Sequence, residues 1–315
     1  MQNKTFIIFI VSILLAFPPM IGKNNPHKKP KIVALLPVKN EALVIEQCLR
    51  GLALYTDAII LLDDASEDNT LEIVESLAQE CKIEKIIKNE KWHRNETSDR
   101  GKLFKAGREI GGTHFIILDA DEMFTADCLK NDFLRKKILA LKPGDTITLP
   151  WIPLWRDIYT YRTDKGITLR GFICCDDGTC CYQTKKFIHT SRFPKNLKKG
   201  KDTIISTHGV LHFQAVNIKN MGIRKAWYMC LEKIRCPHMS LEARNKKYDP
   251  MTNEEGLKLV ACPKQWYEGY DFFDGSAFKK IDTYRRSQIY RWFDEHGFEK
   301  FSDLDLSCLS DSFGE

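Results

Sequence analysis

Short apolar runs alternate with stretches of helical spacing over the first 125 residues of the chain. The runs are apolar throughout and have the length of buried strands, and in the stretches between them apolar residues recur at intervals of three and four. The predicted strands lie at 31–38, 57–64, near 85 and at 114–118, and the predicted helices at 40–55, 68–82 and 100–112. Such an alternation predicts an α/β fold, with a mainly parallel sheet that is flanked by helices on both faces.

Clusters of polar residues directly follow three of these predicted strands. In parallel sheets, ligands collect at the carboxyl ends of the strands, because loops and helix N-termini converge there. We therefore expect Pro37, Asp64, Asp119 and Asp121 to line one cleft. The clusters are Pro37-Lys39-Asn40-Glu41, Asp63-Asp64-Ser66-Asp68 and Asp119-Asp121-Glu122.

The third cluster contains two carboxylates, Asp119 and Asp121, on either side of the small Ala120. Oxygen ligands of this kind suit Mg²⁺ or Mn²⁺, and two of them leave most of the coordination shell open for phosphate oxygens. A cation bridged to a diphosphate would stabilise the charge of a leaving phosphate. The alternative is structural, since acidic residues at a helix N-terminus interact favourably with the helix dipole.

Three sequence stretches together resemble the family 2 glycosyltransferases of the GT-A fold. They are "LLPVKNEA", "LLDDASEDNT", which is similar to the DDxSxDxT stretch of that family, and "FIILDADE", which is similar to its DxD stretch. The resemblance covers roughly residues 31–124. It implies transfer of a sugar from a nucleoside diphosphate donor to an acceptor hydroxyl, with a divalent cation, Mn²⁺ or Mg²⁺.

The resemblance also implies roles for individual residues. Asp64 would contact the nucleotide base, and Asp119 and Asp121 would hold the ribose and the metal. Lys102 is a candidate phosphate contact, although a solvated lysine on a helix explains it equally well. The residues expected to line the nucleotide pocket are Pro37, Lys39 and Glu41.

The second half of the chain has weaker signals. In "THGVLHFQ", His212 resembles the histidine that follows a strand in some members of the family, and is the predicted third metal ligand. An inverting transferase needs a carboxylate base for the acceptor hydroxyl, and Asp157, beside several aromatic residues, is the candidate. Trp151, Trp155 and Tyr159 either stack on a sugar ring or belong to the core.

The N-terminal residues 1–30 form a membrane-engaging segment followed by a basic linker. The apolar run from Phe6 to Phe17 is short for a spanning helix, which needs about 20 residues, and fits the apolar region of a signal peptide. Both a retained anchor and a cleaved signal remain open. Because lysines cluster after the run, a retained anchor would keep the catalytic domain on the cytoplasmic side, whereas cleavage would export the protein.

The remaining boundaries divide the chain into a GT-A domain at 31–248 and a helical C-terminal extension at 249–315, with two amphipathic stretches at 254–273 and 283–301. Within the domain, Asp177-Gly178 is a strong hairpin turn signal. A hairpin centred there would place Cys175 opposite Cys180, within disulfide range and either free or bridged.

Composition limits the function further. With 43% apolar and 29% charged residues the chain can bury a sizeable core, and its net charge of +6 is too evenly spread to indicate nucleic acid. The expected partners are a nucleotide sugar and a glycan, lipid or protein acceptor. Two alternatives are a non-catalytic sugar-binding protein on a decayed transferase domain and, less favoured, a haloacid dehalogenase-like phosphatase, which "FIILDADEMF" also resembles.

Overall fold

The protein is described by a computed structural model for residues 29–183 and 190–310. The predicted membrane-engaging segment lies almost entirely outside these ranges. Within them, no helix is both long enough and apolar enough to cross a bilayer. The strands are β1 (Ile32–Val38), β2 (Ala58–Asp63), β3 (Ile83–Lys88), β4 (His114–Ile117), β5 (Glu122–Phe124), β6 (Thr146–Trp155), β7 (Thr160–Arg162), β8 (Thr168–Cys175), β9 (Asp202–Ile204), β10 (Val210–Ala215) and β11 (Leu259–Ala261). The α-helices are α1 (Ile45–Ala53), α2 (Thr70–Ser76), α3 (Glu96–Glu109), α4 (Phe133–Leu139), α5 (Ile218–Arg235), α6 (Leu241–Tyr248) and α7 (Thr283–His296).

The four strands predicted from the apolar runs form the parallel part of the sheet, in the order β4-β1-β2-β3. The sheet continues from β4 through β8, β6, β7 and β11, and these successive pairs are all antiparallel. Strand β10 lies between β5, to which it is antiparallel, and β6, to which it is parallel. The predicted mixed, mainly parallel sheet flanked by helices is therefore confirmed.

The parallel strands are apolar throughout because helices cover both of their faces. Alternate residues of β1 pack in two different cores: Leu36 belongs to a cluster with Leu49 of α1, and Leu35 belongs to a second cluster with Leu103 of α3. All four leucines are almost completely buried. Since burial of a leucine side chain contributes about 1.5–3 kcal/mol, both faces of the strand help to hold the helices in place.

Two loops at the carboxyl ends of β1 and β2 bind each other. Asn40 and Ala65 both have left-handed backbone conformations, with φ of 52° and 57°. The Asn40 side chain accepts a hydrogen bond from the Glu67 backbone N–H at 2.8 Å, and the Asn40 N–H donates to the Ser66 hydroxyl at 2.9 Å. These reciprocal bonds fix the loops although a left-handed Ala costs roughly 1–2 kcal/mol.

Of the two amphipathic helical stretches predicted in the C-terminal part of the chain, one contains a helix and the other does not. The second stretch contains α7, which packs on α5 in a separate apolar cluster. The first stretch, 254–273, is not an amphipathic helix: it contains β11, paired with β7, and a 3₁₀ turn at Lys264–Trp266. Pro263 lacks an N–H, and Gly256 and Gly269 have φ of 66° and 101°, so a continuous helix is excluded.

The predicted hairpin around Asp177-Gly178 is wrong. Strand β8 ends at Cys175, and the residues that follow form a loop rather than a returning strand. The Asp177 carboxylate organises this loop by accepting hydrogen bonds from the backbone N–H groups of Thr179 and Cys180, both at 2.7 Å, and of Lys198 at 2.6 Å. A side-chain acceptor thus takes the place of cross-strand pairing, and all eleven cysteines are free.

Candidate active site

A cavity of about 420 Å³ lies at the carboxyl ends of the parallel strands. We call it the strand-end cavity. Three of the residues predicted to share one cleft, Pro37, Asp64 and Asp119, line it, as does Lys39. Its other lining residues are Val38, Glu96, Asp99, Arg100, Arg170, Thr190 and Arg192.

One wall of this cavity is built by Lys39 and Asp64, from the interlocked loops after β1 and β2. The Lys39 ammonium donates to the carbonyl oxygens of Asp64 at 3.2 Å and of Ala65 at 2.6 Å. Asn89 donates to the Asp64 carboxylate at 2.8 Å. Burial lowers the pKa of Lys39 and raises that of Asp64, since both charged forms lose solvation. Asp64 keeps hydrogen-bonding capacity for a ligand, because a carboxylate can accept several bonds.

Asp119, which also lines the strand-end cavity, is bound by two arginines. Arg100 donates to its Oδ1 at 3.0 Å and Arg192 to its Oδ2 at 2.9 Å. Burial raises the pKa of Asp119, but Arg192 and Arg100 outweigh that effect and the pKa lies below its usual value. The same Arg192 donates to Glu122 at 2.7 Å. Both oxygens of Asp119 therefore already have cationic partners.

Asp121 faces a different, smaller cavity and pairs with His212. Strand β10 carries His212, whose Nε2 lies 3.3 Å from Oδ2 of Asp121. Burial raises the pKa of Asp121, but the charge and hydrogen bond of His212 outweigh it and bring the pKa to about 2. Burial lowers the pKa of His212, but Asp121 and neighbouring acids outweigh that effect, so the pKa of His212 lies above its usual value. The Asp121 carboxylate is thus held ionised.

The predicted set of three metal ligands does not come together. Of the described residues, the one set of three His, Cys, Asp or Glu ligand atoms within 4.8 Å of one another is Asp176, Asp177 and Cys180. That set is structural, because Asp176 pairs with Arg108 and Asp177 holds its own loop. A carboxylate oxygen and an imidazole nitrogen at the separation seen for Asp121 and His212 can nevertheless be adjacent ligands of one cation, with metal–ligand bonds of about 2.0–2.2 Å.

Glu41 does not line the strand-end cavity. It forms a buried ion pair, in which Nη2 of Arg224 lies 3.0 Å from each Glu41 carboxylate oxygen. Arg285 of α7 lies 3.7 Å away. Glu41 thus connects the loop after β1 to α5 and α7.

Lys102 and Asp157 also lie elsewhere than predicted. Lys102 donates to Asn89 at 2.6 Å, beside the strand-end cavity but not among the residues that line it. Asp157 is exposed and holds a turn, since it accepts from the Tyr159 N–H at 2.7 Å and the Thr160 hydroxyl at 3.1 Å. It lines neither the strand-end cavity nor the small cavity that contains Asp121.

The predicted aromatic stacking residues have other contacts. Trp151 donates to Glu122 at 2.8 Å and packs on His212 with ring centroids 4.5 Å apart. Trp155 is buried and donates to Glu254, whereas Tyr159 is exposed. Trp151 thus contacts Glu122 and His212, and Trp155 contacts Glu254, so both indole N–H groups are used within the protein.

Three arginines of the strand-end cavity, Arg100, Arg170 and Arg192, are not among the residues predicted from the sequence. Arg170 lies 3.7 Å above the Trp151 ring, and Arg192 lies 4.7 Å from the Phe172 ring centroid. Arg100 offers a weak signal, because it stands one residue before the glycine of "RGKLF" in a helix that leads towards the acidic cluster. Arg192 offers none, as it is 73 positions away from Asp119 in the chain.

Residues 34–132 match the model of Glycosyl transferase family 2. The chain contains a family 2 glycosyltransferase domain. The matched segment of this domain runs from β1 through the residues that follow the acidic cluster, and so includes Asp64, Asp119 and Asp121. The resemblance noted from the three sequence stretches is thereby confirmed.

Comparison with solved structures finds matches of low similarity, among them two structures of one protein and one structure of another. The crystal structure of S. aureus TarS has a TM-score of 0.40 and 14% identity, covering 69% of this chain and 42% of that chain. S. aureus TarS 1-349 in complex with UDP-GlcNAc has a TM-score of 0.30 and 20% identity, covering 41% and 35%. Glucosyl-3-phosphoglycerate synthase from Mycobacterium tuberculosis, in complex with Mn²⁺, UDP and glucosyl-3-phosphoglycerate, has a TM-score of 0.28 and 18% identity, covering 39% and 44%. The chain thus spans less than half of each of these structures, and a comparison with curated protein sequences finds no match.

Proposed function

We propose that the protein transfers a sugar from a nucleoside diphosphate donor to an acceptor hydroxyl, with inversion at the anomeric carbon and with Mn²⁺ or Mg²⁺ as the cation. The observation that carries the proposal is the position of Asp64 and Asp119 on one strand-end cavity, beside the Asp121–His212 pair, within a family 2 glycosyltransferase domain. A sheet without a ligand would gain nothing from gathering these acids at one edge, because each buried carboxylate must be compensated.

In this proposal the strand-end cavity binds the nucleotide. Asp64 accepts hydrogen bonds from the base, Pro37 and Lys39 border the base and ribose, and Asp119 faces the ribose. The guanidinium groups of Arg100 and Arg192 lie beside Asp119. They are placed to attract the negative charge of the diphosphate, since arginine recognises phosphate oxygens through several N–H groups.

Asp121 and His212 would hold the divalent cation. That cation, when bound, supplies positive charge that stabilises the leaving nucleoside diphosphate. The fit rests on two observations. A carboxylate oxygen and an imidazole nitrogen lie 3.3 Å apart, and the Asp121 carboxylate, with a pKa of about 2, is ionised at neutral pH. Asp119 plays no direct part in holding the cation, because two arginines occupy its oxygens.

Inversion requires a base on the acceptor side of the sugar. The turn that contains Asp157 uses its carboxylate for backbone and hydroxyl hydrogen bonds, and Asp157 lines neither of the two cavities described above. We therefore leave Asp157 out of the proposed mechanism.

Calorimetry with a panel of nucleotide sugars, in Mn²⁺ and again in EDTA, tests the proposal. We expect metal-dependent binding of at least one donor, and a loss of affinity of at least about tenfold in Asp121→Asn. Asp294→Asn, an exposed aspartate of α7, is the matched control and should bind as the wild type does. Binding that is equal in Asp121→Asn and in wild type would refute the metal role, and no binding of any nucleotide sugar would refute the transferase.

The alternative of a non-catalytic sugar-binding protein is tested in the same samples. Release of free nucleoside diphosphate from the donor, followed by phosphatase-coupled detection, should occur at a measurable rate if the domain is an enzyme. Tight donor binding without any release, at every acceptor tried, would favour the non-catalytic alternative.

We also propose that residues 1–30 attach the protein to a membrane. The basis is the apolar run with its following lysines. Full-length protein should sediment with membranes and resist carbonate extraction if the run is a retained anchor, whereas a shortened N-terminus on the secreted product would show that it is a cleaved signal.

A further inference from the structure

A second cavity, of about 410 Å³, lies beside the strand-end cavity. We call it the aromatic cavity. Its aromatic lining includes Trp92, from the loop between β3 and α3, Tyr228 of α5 and Tyr248 of α6. Lys39 and Asp64 line both this cavity and the strand-end cavity. The two spaces are therefore neighbours that share a wall.

Tyr228 is held rigidly in the wall of the aromatic cavity. Its ring is parallel to that of Tyr248, with centroids 5.5 Å apart and an interplanar angle of 7°, and meets Trp227 edge-on at 5.1 Å and 76°. The Tyr228 hydroxyl forms no hydrogen bond within the described part of the chain. By contrast, three cations lie within 5.4 Å of the Trp92 ring centroid, those of Lys39, Arg94 and Arg235. Tyr228 is accordingly the aromatic group that remains available to a ligand.

Gln214 connects the aromatic cavity to the proposed cation site. On strand β10 it lies two residues after His212, so both side chains are on the same face of the strand. Gln214 lines the aromatic cavity and also the small cavity that contains Asp121. Its amide makes no hydrogen bond to the described residues, and can both donate and accept. A molecule in the aromatic cavity would therefore reach the reaction centre past Gln214.

We propose that the aromatic cavity binds the acceptor, and that the acceptor is a saccharide whose ring lies against Tyr228 and whose hydroxyls bond to Gln214. This inference rests on the proposed function. The ring of Tyr228 suits the apolar C–H face of a pyranose, while the amide suits its hydroxyls. A cavity of this volume is at the lower end of the 300–1,000 Å³ typical of small-molecule sites, and accommodates one or two sugar rings.

A lipid chain fits the same space poorly. Lys39, Glu41 and Arg285 line the aromatic cavity, and an acyl chain would cover these charges without offering hydrogen bonds. The hydroxyl groups of a saccharide, by contrast, can make the hydrogen bonds to these charged residues that the displaced water made. The chemistry of the wall therefore favours a carbohydrate over a lipid.

Saturation-transfer difference NMR tests the inference with methyl glycosides of glucose, galactose, mannose and N-acetylglucosamine and with their common disaccharides, in the presence of UDP and Mn²⁺. We expect at least one saccharide to bind to wild type, and its affinity to fall about tenfold in Tyr228→Ala, since this variant removes the ring against which the sugar lies. Tyr228→Phe keeps the ring and should retain most of the affinity. Tyr159→Ala, which removes an exposed tyrosine outside the cavity, is the matched control.

Gln214→Leu provides a second variant should Tyr228→Ala fold poorly, and it should weaken the same saccharide several-fold. Donor binding, measured by calorimetry in each variant, should be unchanged. Absence of any saccharide signal in wild type, or equal affinities in wild type, Tyr228→Ala and Gln214→Leu, would overturn the acceptor site. Loss of donor binding in wild type would instead refute the proposed function, so the two failures are distinguishable.

Discussion

The ion pair between Glu41 and Arg224 offers a sharp test of how the loop after β1 is joined to α5. Glu41 follows β1, and its side chain is only 14% exposed; Arg224 on α5 is 12% exposed. Replacing Arg224 by methionine keeps an unbranched apolar stem and removes the charged guanidinium. Glu41 is then left buried with Arg285 as the one arginine nearby, at 3.7 Å.

The expected cost follows from that burial. Breaking a buried ion pair by removing one partner destabilises a protein by about 3–5 kcal/mol, because the remaining charge is uncompensated. Arg285 offsets part of this, so we expect Arg224→Met to lower the free energy of unfolding by about 3 kcal/mol. Burial raises the pKa of Glu41, and Asp121 adds to this rise, while Arg224 and Arg285 offset only part of it. A neutral pair should therefore be tolerated.

Urea denaturation of four proteins measures this: wild type, Arg224→Met, Glu41→Gln and the double variant. We expect the double variant to recover most of the stability lost in Arg224→Met, with a coupling energy of about 1–3 kcal/mol. Lys85→Met is the control, because its pair with Glu109 is about half exposed on both sides and should contribute no more than about 1 kcal/mol. The reasoning is refuted if Arg224→Met costs no more than Lys85→Met, or if Glu41→Gln fails to rescue it.

Three further predictions concern the cation site, the loop after β8 and the cysteines. His212→Ala should weaken the Mn²⁺-dependent part of donor binding by about 10–100-fold in calorimetry, whereas His208→Ala, which removes a ring stacked on Phe133, should leave it unchanged; equal losses would count against the site. Burial raises the pKa of Asp177, but its backbone hydrogen bonds outweigh that effect and lower the pKa to about 2, below the unfolded value of about 3.9. The ionised carboxylate therefore contributes about 2 kcal/mol to the free energy of unfolding. This contribution is complete above the unfolded pKa and is lost as the pH falls through the folded pKa. Acid unfolding followed by circular dichroism should therefore be less steep in Asp177→Asn, and an unchanged profile would contradict this. Thiol titration of denatured, unreduced protein should find all eleven cysteines free, and any lower count would contradict the structure.

The parallel half of the fold was predictable because its signals are local. Each strand is a continuous apolar run, and each helix has apolar residues at helical spacing, so neighbours along the chain are also neighbours in the sheet. The prediction of a helix at 254–273 is wrong because the structure of this stretch depends on a distant partner. Its strand β11 pairs with β7, about a hundred positions earlier in the chain. The predicted cysteine hairpin is wrong for a related reason, because Asp177 accepts a hydrogen bond from the Lys198 N–H, which belongs to a loop about twenty residues later.

The candidate site shows the same division. Pro37, Asp64 and Asp119 were placed on one cavity from the rule that ligands gather at strand ends. That rule says nothing about which partner each acid finds. The position of Asp157 was inferred from neighbouring aromatic residues, and its carboxylate is instead used within its own turn. Arg192 and Tyr228 reach their cavities from elements whose packing no local pattern describes.

The acids that end the apolar run of β4 illustrate what such a rule leaves out. A carboxylate at the edge of an apolar sheet must be compensated, and here each acid has a different set of partners, although Asp119 and Glu122 share Arg192. Asp119 is bound by two arginines, and Glu122 by Arg192 and a Trp indole. Asp121 is paired with His212, and of these cationic partners the imidazole is the one that can lose its proton and become a metal ligand. A divalent cation can therefore replace the proton of His212 without leaving a charge unpaired, whereas at Asp119 it would have to displace two permanent cations. The difference between the two carboxylates thus follows from their partners and not from their spacing in the chain.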